Sequence, residues 1–249
     1  MRQLIGLPYS PWSEKARWAL AHHRVEHRFV QHQPMLGELK LRMLAGRLTT
    51  PVSVPLMVED LDGRRVVFDD SYAIACRAEA IGGGAPLMAN AATGEIERWN
   101  DLGERALGSL RWLLLRRLRA DHDALVEALP PFVPGPLRSA MTPVARMGTD
   151  FIARKYADKT SGIDEATAEA TAAACLSAIA DALGSRRYLR ETFSYADIAA
   201  AVCLQMVKPV DRKFIRLAPA TERLWTHPRL AERFSSLIDW RDRLYADHR

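Results

Sequence analysis

The sequence predicts a small mixed α/β unit followed by a larger all-helical one. Three observations carry that expectation. Strand-like apolar alternation is confined to the first 82 residues, and segments after residue 95 repeat their apolar positions at three- and four-residue steps. Between the two regimes lies a Gly/Ala-rich connector, IGGGAPLMANAATG (81–94). The expected division is a first domain at 1–82, a linker at 83–94 and a helical domain at 95–249.

In the first domain QLIGL (3–7) reads as a short strand, and 11–23 as a helix with Trp12, Ala16, Ala19, Leu20 and His23 near helical spacing. HRFVQH (27–32) alternates as a second strand. An irregular link follows, and then VPLMVED (54–60), a turn at Asp62-Gly63 and RRVVF (64–68) read as a hairpin. DSYAIACRAEAIGG (70–83) reads as a helix ending at glycine. The order β-α-β, link, β-β-α is that of a thioredoxin-like domain. The helical domain offers segments at 95–120, 136–157, 164–184, 195–208 and 228–246, with PPFVPGP (130–136) as a break.

Hydrophobic residues make up 48% and charged residues 26% of the chain, ordinary values for a globular protein. No run approaches the roughly 18 uninterrupted apolar residues of a membrane span. Pro8 interrupts the N-terminal segment too early for a signal-peptide core, so a cytoplasmic location and no membrane partner are expected. Cys76, Cys175 and Cys203 lack the pairing of a disulfide framework or the spacing of a zinc site, so no metal is expected. The net charge of +5 comes from basic residues mixed with acidic ones. RWLLLRRLR (111–119) reads as the solvated side of an amphipathic helix, and no nucleic-acid partner is expected. A mild positive field favours a small anionic ligand.

YSPWSEKARWAL (9–20) reads as the start of a helix. Ser10 suits an N-cap and Pro11 the first helical position. The spacing Ser10-Pro11-Trp12-Ser13 is that of a C-x-x-C motif with both sulfurs replaced by oxygen. A hydroxyl at a helix start can cap the helix, or it can donate to an anion held there by the helix dipole. Further on, Ser194-Tyr195-Ala196-Asp197 fits a capping box, with Phe193 and Ile198 placed as a hydrophobic staple. This assigns Asp197 a folding role.

Four stretches together resemble the cytosolic glutathione S-transferase superfamily: SPWSEKARWAL (10–20), SVPLMVED (53–60), DDSYAIAC (69–76) and YLRETFSYADIAAAV (188–202). The match departs from the family pattern at Val52-Ser53 and in the long stretch 121–163, and it identifies no subfamily. The resemblance implies a thioredoxin-like domain followed by an all-α domain, assembled as a homodimer. It implies a transferase that activates glutathione, a co-substrate and not a resident cofactor, for attack on a small hydrophobic electrophile or a peroxide. Ser10 is the first choice for activating the thiol, then Ser13, then Tyr9. Val54 and a cis Pro55 would pair with the tripeptide backbone. Ser71 would hold the γ-glutamyl carboxylate and Asp70, or Asp69, its amino group. Lys40 or Arg17 would meet the glycine carboxylate. A serine in place of cysteine at position 10 implies thiol activation over disulfide exchange. Two other readings stay open: a non-catalytic binding protein of the same fold, and a glutathione-dependent isomerase or dehalogenase.

Overall fold

A computed structural model describes residues 1–88, 94–130, 132–156 and 162–249. The first part is a four-stranded sheet in the order β2-β1-β3-β4. Strand β1 (Arg2–Gly6) runs parallel to β2 (Arg28–Gln31) and antiparallel to β3 (Leu56–Leu61), which pairs antiparallel with β4 (Arg64–Phe68). A parallel pair needs a crossover, and α1 (Pro11–His22) supplies it.

Strand periodicity sorts side chains to the two faces of the sheet. Leu4 and Met57 point to one face, where they pack with Ala16 and Leu20 of α1 and with Ile74 and Ala78 of α3 (Ser71–Ile81). Ile5, Leu56 and Val58 point to the other and pack with Leu41 and Ala45 of α2 (Glu38–Ala45). The stretch read as an irregular link therefore contains a helix. Its signals are Leu41 and Ala45 at an i,i+4 step and Gly46, which ends it in the left-handed conformation at φ 67°.

The rest is helical: α4 (Glu95–Ala120), α5 (His122–Ala128), α6 (Gly135–Arg138), α7 (Thr142–Lys155), α8 (Glu165–Leu183), α9 (Tyr195–Cys203), α10 (Pro219–Trp225), α11 (Pro228–Arg233) and α12 (Ser235–His248). Every residue of α9 is buried, with α4 and α12 packed around it and α8 against α4. The capping box is present. Asp197 accepts from the Ser194 N–H at 2.9 Å and also from the more distant Leu189 N–H at 2.7 Å.

Where the observed helices differ from the expected ones, local chemistry accounts for most of it. Segment 195–208 leaves the α-helix after Cys203 and closes with a 3-10 turn at 204–206, two residues before the Lys208-Pro209 step that opposes helix. The 136–157 segment splits into α6 and α7, with Pro143 at the start of the latter. Segment 228–246 is broken at Phe234, whose ring turns into the core. The short helices α5 and α10 were not expected; α5 begins where Asp121 caps the Ala124 N–H at 2.9 Å. Alanine-rich α8 is long and apolar enough by composition to cross a membrane, but here it buries Ala172, Leu176 and Ile179 in the core. Part of the expected linker, residues 89–93, lies outside the described residues.

One core joins the two parts. Trp18 and Ala19 of α1 and Ala75 of α3 pack into the same cluster as α9 and α12. Lys15, fully buried on α1, donates to Glu104 at 2.5 Å and Asn100 at 2.9 Å on α4. The start of α1 is thereby held against the wall of α4.

Candidate active site

A cavity of about 1250 Å³ opens between the sheet domain and the helices. Its sheet-side wall comes from four chain segments: Tyr9–Trp12 at the start of α1, Gln31–Leu36 after β2, Ser53–Pro55 before β3, and Asp69–Ser71 before α3. The opposite wall comes from α4, α5, α7 and the segment 216–225.

Ser10 is the N-cap of α1 by backbone conformation (φ −70°, ψ 129°), but its hydroxyl makes no capping bond. The residue is 8% exposed, and what it exposes faces the cavity. The Ser10 carbonyl accepts the first helical bond, from the Glu14 N–H at 2.9 Å. Ser13 has a different environment. It is fully buried behind Gly6, accepts the Leu7 N–H at 3.1 Å and does not line the cavity. Tyr9 lies at the cavity edge, edge-on to Trp225 at 6.2 Å, and burial of its phenol raises the pKa above the ordinary tyrosine value.

The Val54-Pro55 peptide is cis. The β1–β3 ladder begins only at Leu56, so the peptide groups of Val54 sit beyond the paired strands at the cavity wall. Ser71 is buried at the first position of α3, and Asp70 caps that helix by accepting the Ala73 N–H at 2.7 Å. Asp69 is bound to Arg47 at 2.5 Å. Ser10, Val54, Pro55, Asp70 and Ser71 thus converge on one wall. Lys40 and Arg17 do not: Lys40 is exposed on α2 outside the cavity, and Arg17 bonds the Pro8 carbonyl at 3.1 Å and Glu14 at 3.2 Å. His32 and Gln33 stand at the cavity wall near α2 instead.

Sequence reasoning missed the contribution of the helical part. Lys155 at the end of α7 binds Glu38 of α2 at 2.9 Å, and Glu38 also faces the buried His32 at 3.4 Å. Burial and the nearby Lys155 lower the pKa of His32, outweighing Glu38. Tyr156 donates to Ser53 at 3.3 Å, so the end of α7 spans the cavity to the segment bearing Val54. The arginines of 111–119 are not simply solvated. Arg117 reaches the carbonyls of Leu224 and Thr226, and Arg111 enters the cavity between the rings of Trp12 and Tyr156. An i+3/i+4 pattern along 100–118 would have put Arg111 on the face shared by Asn100, Glu104, Gly108, Leu115 and Leu118.

Comparison with known proteins agrees with this architecture. Residues 9–81 match the model of the glutathione S-transferase N-terminal domain. A glutathione S-transferase from Methylobacillus flagellatus, solved with glutathione bound, is 15% identical, with a TM-score of 0.61 over 99% of this chain and 95% of that one. One from Methylobacterium radiotolerans, in complex with glutathione sulfonate, is 19% identical, with a TM-score of 0.58 over 99% and 91%. A glutathione S-transferase domain-containing protein from Marinobacter aquaeolei is 16% identical, with a TM-score of 0.55 over 98% of both chains. No curated protein matches the chain closely enough to count. Residues 9–81 thus resemble a glutathione S-transferase N-terminal domain, and the chain as a whole shares the fold of these solved structures.

Proposed function

We propose that the protein binds glutathione along the sheet-side wall and activates its thiol for attack on a small apolar electrophile. The observation that carries this reading is the Ser10 hydroxyl, uncommitted to its helix and facing the cavity beside Val54 and Ser71. A free thiol has a pKa near 8.5 and is mostly protonated at neutral pH. The N-terminal end of α1 and a donated hydrogen bond from Ser10 both favour the thiolate.

The cysteinyl backbone would add to Val54 as a short extra strand, using peptide groups the sheet leaves unpaired. The γ-glutamyl carboxylate would sit at the start of α3, where Ser71 and the free N–H groups favour an anion, and its ammonium would meet Asp70. Asp69, already bound to Arg47, is the weaker choice. In the chemical step a sulfur–carbon bond forms with the thiolate's electron pair. The leaving group departs with the electrons of the bond that breaks, and the thiol proton goes to solvent.

The test is calorimetric titration with glutathione together with conjugation of a chlorodinitrobenzene. Micromolar-to-millimolar binding and saturable conjugation are expected. Binding without turnover of any electrophile would make the protein a glutathione-binding module, and absence of binding would refute the reading. Conversion of the acceptor with glutathione regenerated would make it an isomerase.

A further inference from the structure

We infer that the helical half of the cavity is built for an acceptor bearing an anionic group, a carboxylate or sulfonate on an apolar body, with Arg111 as the residue that pairs with it. The inference deepens the reading of the cavity as a transferase site, and its first test is independent of glutathione.

Among the residues of α4 that line the cavity, those at 104, 108, 111, 115 and 118 form one row at helical steps. Beyond Glu104 the row is Gly108, Arg111, Leu115 and Leu118, with Arg111 as its cation, while Arg105 of the same helix and Arg216 also border the cavity. The Arg111 guanidinium carbon lies 3.8 Å from the Tyr156 ring centre and 4.7 Å from that of Trp12. Stacking between two rings fixes the plane of a guanidinium and leaves its edge, where the N–H donors are, free to meet a ligand.

The charge balance around Arg111 points the same way. Four carboxylates line the cavity, and each has hydrogen-bond or ion-pair partners other than Arg111, although the charge of Glu104 is felt at Arg111. Glu104 accepts from Lys15 at 2.5 Å and from the Trp12 indole at 2.7 Å. Glu127 accepts the Ala220 and Thr221 N–H groups at 2.9 and 2.7 Å. Asp69 is held by Arg47, and Asp70 caps α3. Among the described residues no carboxylate lies within ion-pair distance of Arg111, nor of the cavity-lining Arg105 and Arg216. A fixed guanidinium in a largely apolar wall, with the nearby acids already satisfied, is a built counter-charge for an anion. Its fork geometry suits a planar carboxylate or a sulfonate. The apolar body of that ligand has Leu114, Leu115, Leu118, Leu129, Val133 and Ile152 to rest against.

The test uses a matched pair of fluorescent probes on the full chain: anilinonaphthalene sulfonate, aromatic and anionic, and neutral N-phenylnaphthylamine. In Arg111→Gln the anionic probe should lose roughly 10- to 100-fold in affinity, the span of a charge-assisted hydrogen bond, while the neutral probe changes little. Arg111→Lys should recover part of the loss. Thermal melting of both variants checks that Trp12 and Tyr156 remain packed. Equal losses for both probes in a folded variant, or no loss for either, would overturn the inference. Conjugation of a chloronitrobenzoate and of its methyl ester then reads the same contact during turnover. Arg111→Gln should raise the acceptor KM for the acid alone and leave the glutathione KM unchanged, whereas a rise in the glutathione KM would assign Arg111 to the tripeptide and overturn the proposal. Failure of glutathione to bind would refute the transferase reading and leave the probe result standing.

Discussion

Replacing Ser10 by alanine separates two roles that a serine at a helix start can play. An N-cap serine that bonds its helix costs about 0.5–2 kcal/mol when truncated. Here the hydroxyl makes no such bond, so Ser10→Ala should leave the denaturation midpoint almost unchanged. The effect should fall on the thiol. A hydrogen bond to a charged group contributes about 1.5–3 kcal/mol, and at 1.36 kcal/mol per unit its loss raises the pKa of bound glutathione by about 1–2 units. The helix dipole stays, so the thiol should still titrate below the free value. Conjugation should slow on the order of 10- to 100-fold near neutral pH, with the deficit shrinking as rising pH ionises the thiol without help. Glutathione affinity should change little, because on the proposed reading Val54, Asp70 and Ser71 would hold the tripeptide. Thiolate absorbance of the bound complex against pH is the direct assay. Ser13→Ala is the matched control: it removes the acceptor of the half-buried Leu7 N–H and should cost about 0.5–1.5 kcal/mol of stability without moving the thiol pKa. If the thiol of the Ser10→Ala complex titrates as in wild type while that of Ser13→Ala shifts, the reasoning from cavity geometry is wrong.

Other expectations rest on the scaffold. Asp197→Ala strands the Leu189 and Ser194 N–H groups and should cost about 2–4 kcal/mol, measured by urea denaturation; a loss under about 1 kcal/mol would deny the capping box its folding role. Burial lowers the pKa of His23, His32 and His227, so the unfolded chain binds their protons more readily. Their contribution is therefore fully present above their ordinary value of 6.5 and is lost as pH falls through the lower folded values. Asp197 opposes them. Burial lifts it from 3.8 to about 6, so its contribution is present below the lower value and lost as pH rises through the higher. A melting temperature that falls on acidification below about 6.5, and falls more steeply in Asp197→Ala, is the expected result, and a flat profile in both contradicts it. The dimer implied by family resemblance would use α4, whose exposed Glu97, Arg98, Asp101 and Arg105 alternate in sign along its first half. Light scattering at micromolar concentration should report twice the mass of one chain, and a monomer would refute it.

The elements legible in the sequence are those whose signals are local. Strand alternation in β1 to β4, the Ser10-Pro11 start of α1, the Asp70-Ser71 start of α3 and the capping box at Ser194 each depend on neighbours within a few residues, because caps, turns and periodicity are short-range devices. Ser10, Val54, Pro55, Asp70 and Ser71 are named as candidates on family resemblance, since the local signals alone read as helix caps and a strand start. Tertiary structure decided what local pattern leaves degenerate. Ser10 and Ser13 are equivalent as hydroxyls one turn apart, yet the helix turn between them aims one at the cavity and the other at the Leu7 N–H. Lys40 and Arg111 are both cations on amphipathic helices. Only the packing of α4 against α1 and the end of α7 places Arg111 between two rings, because a residue's surroundings are set by what covers its face and not by the residue itself.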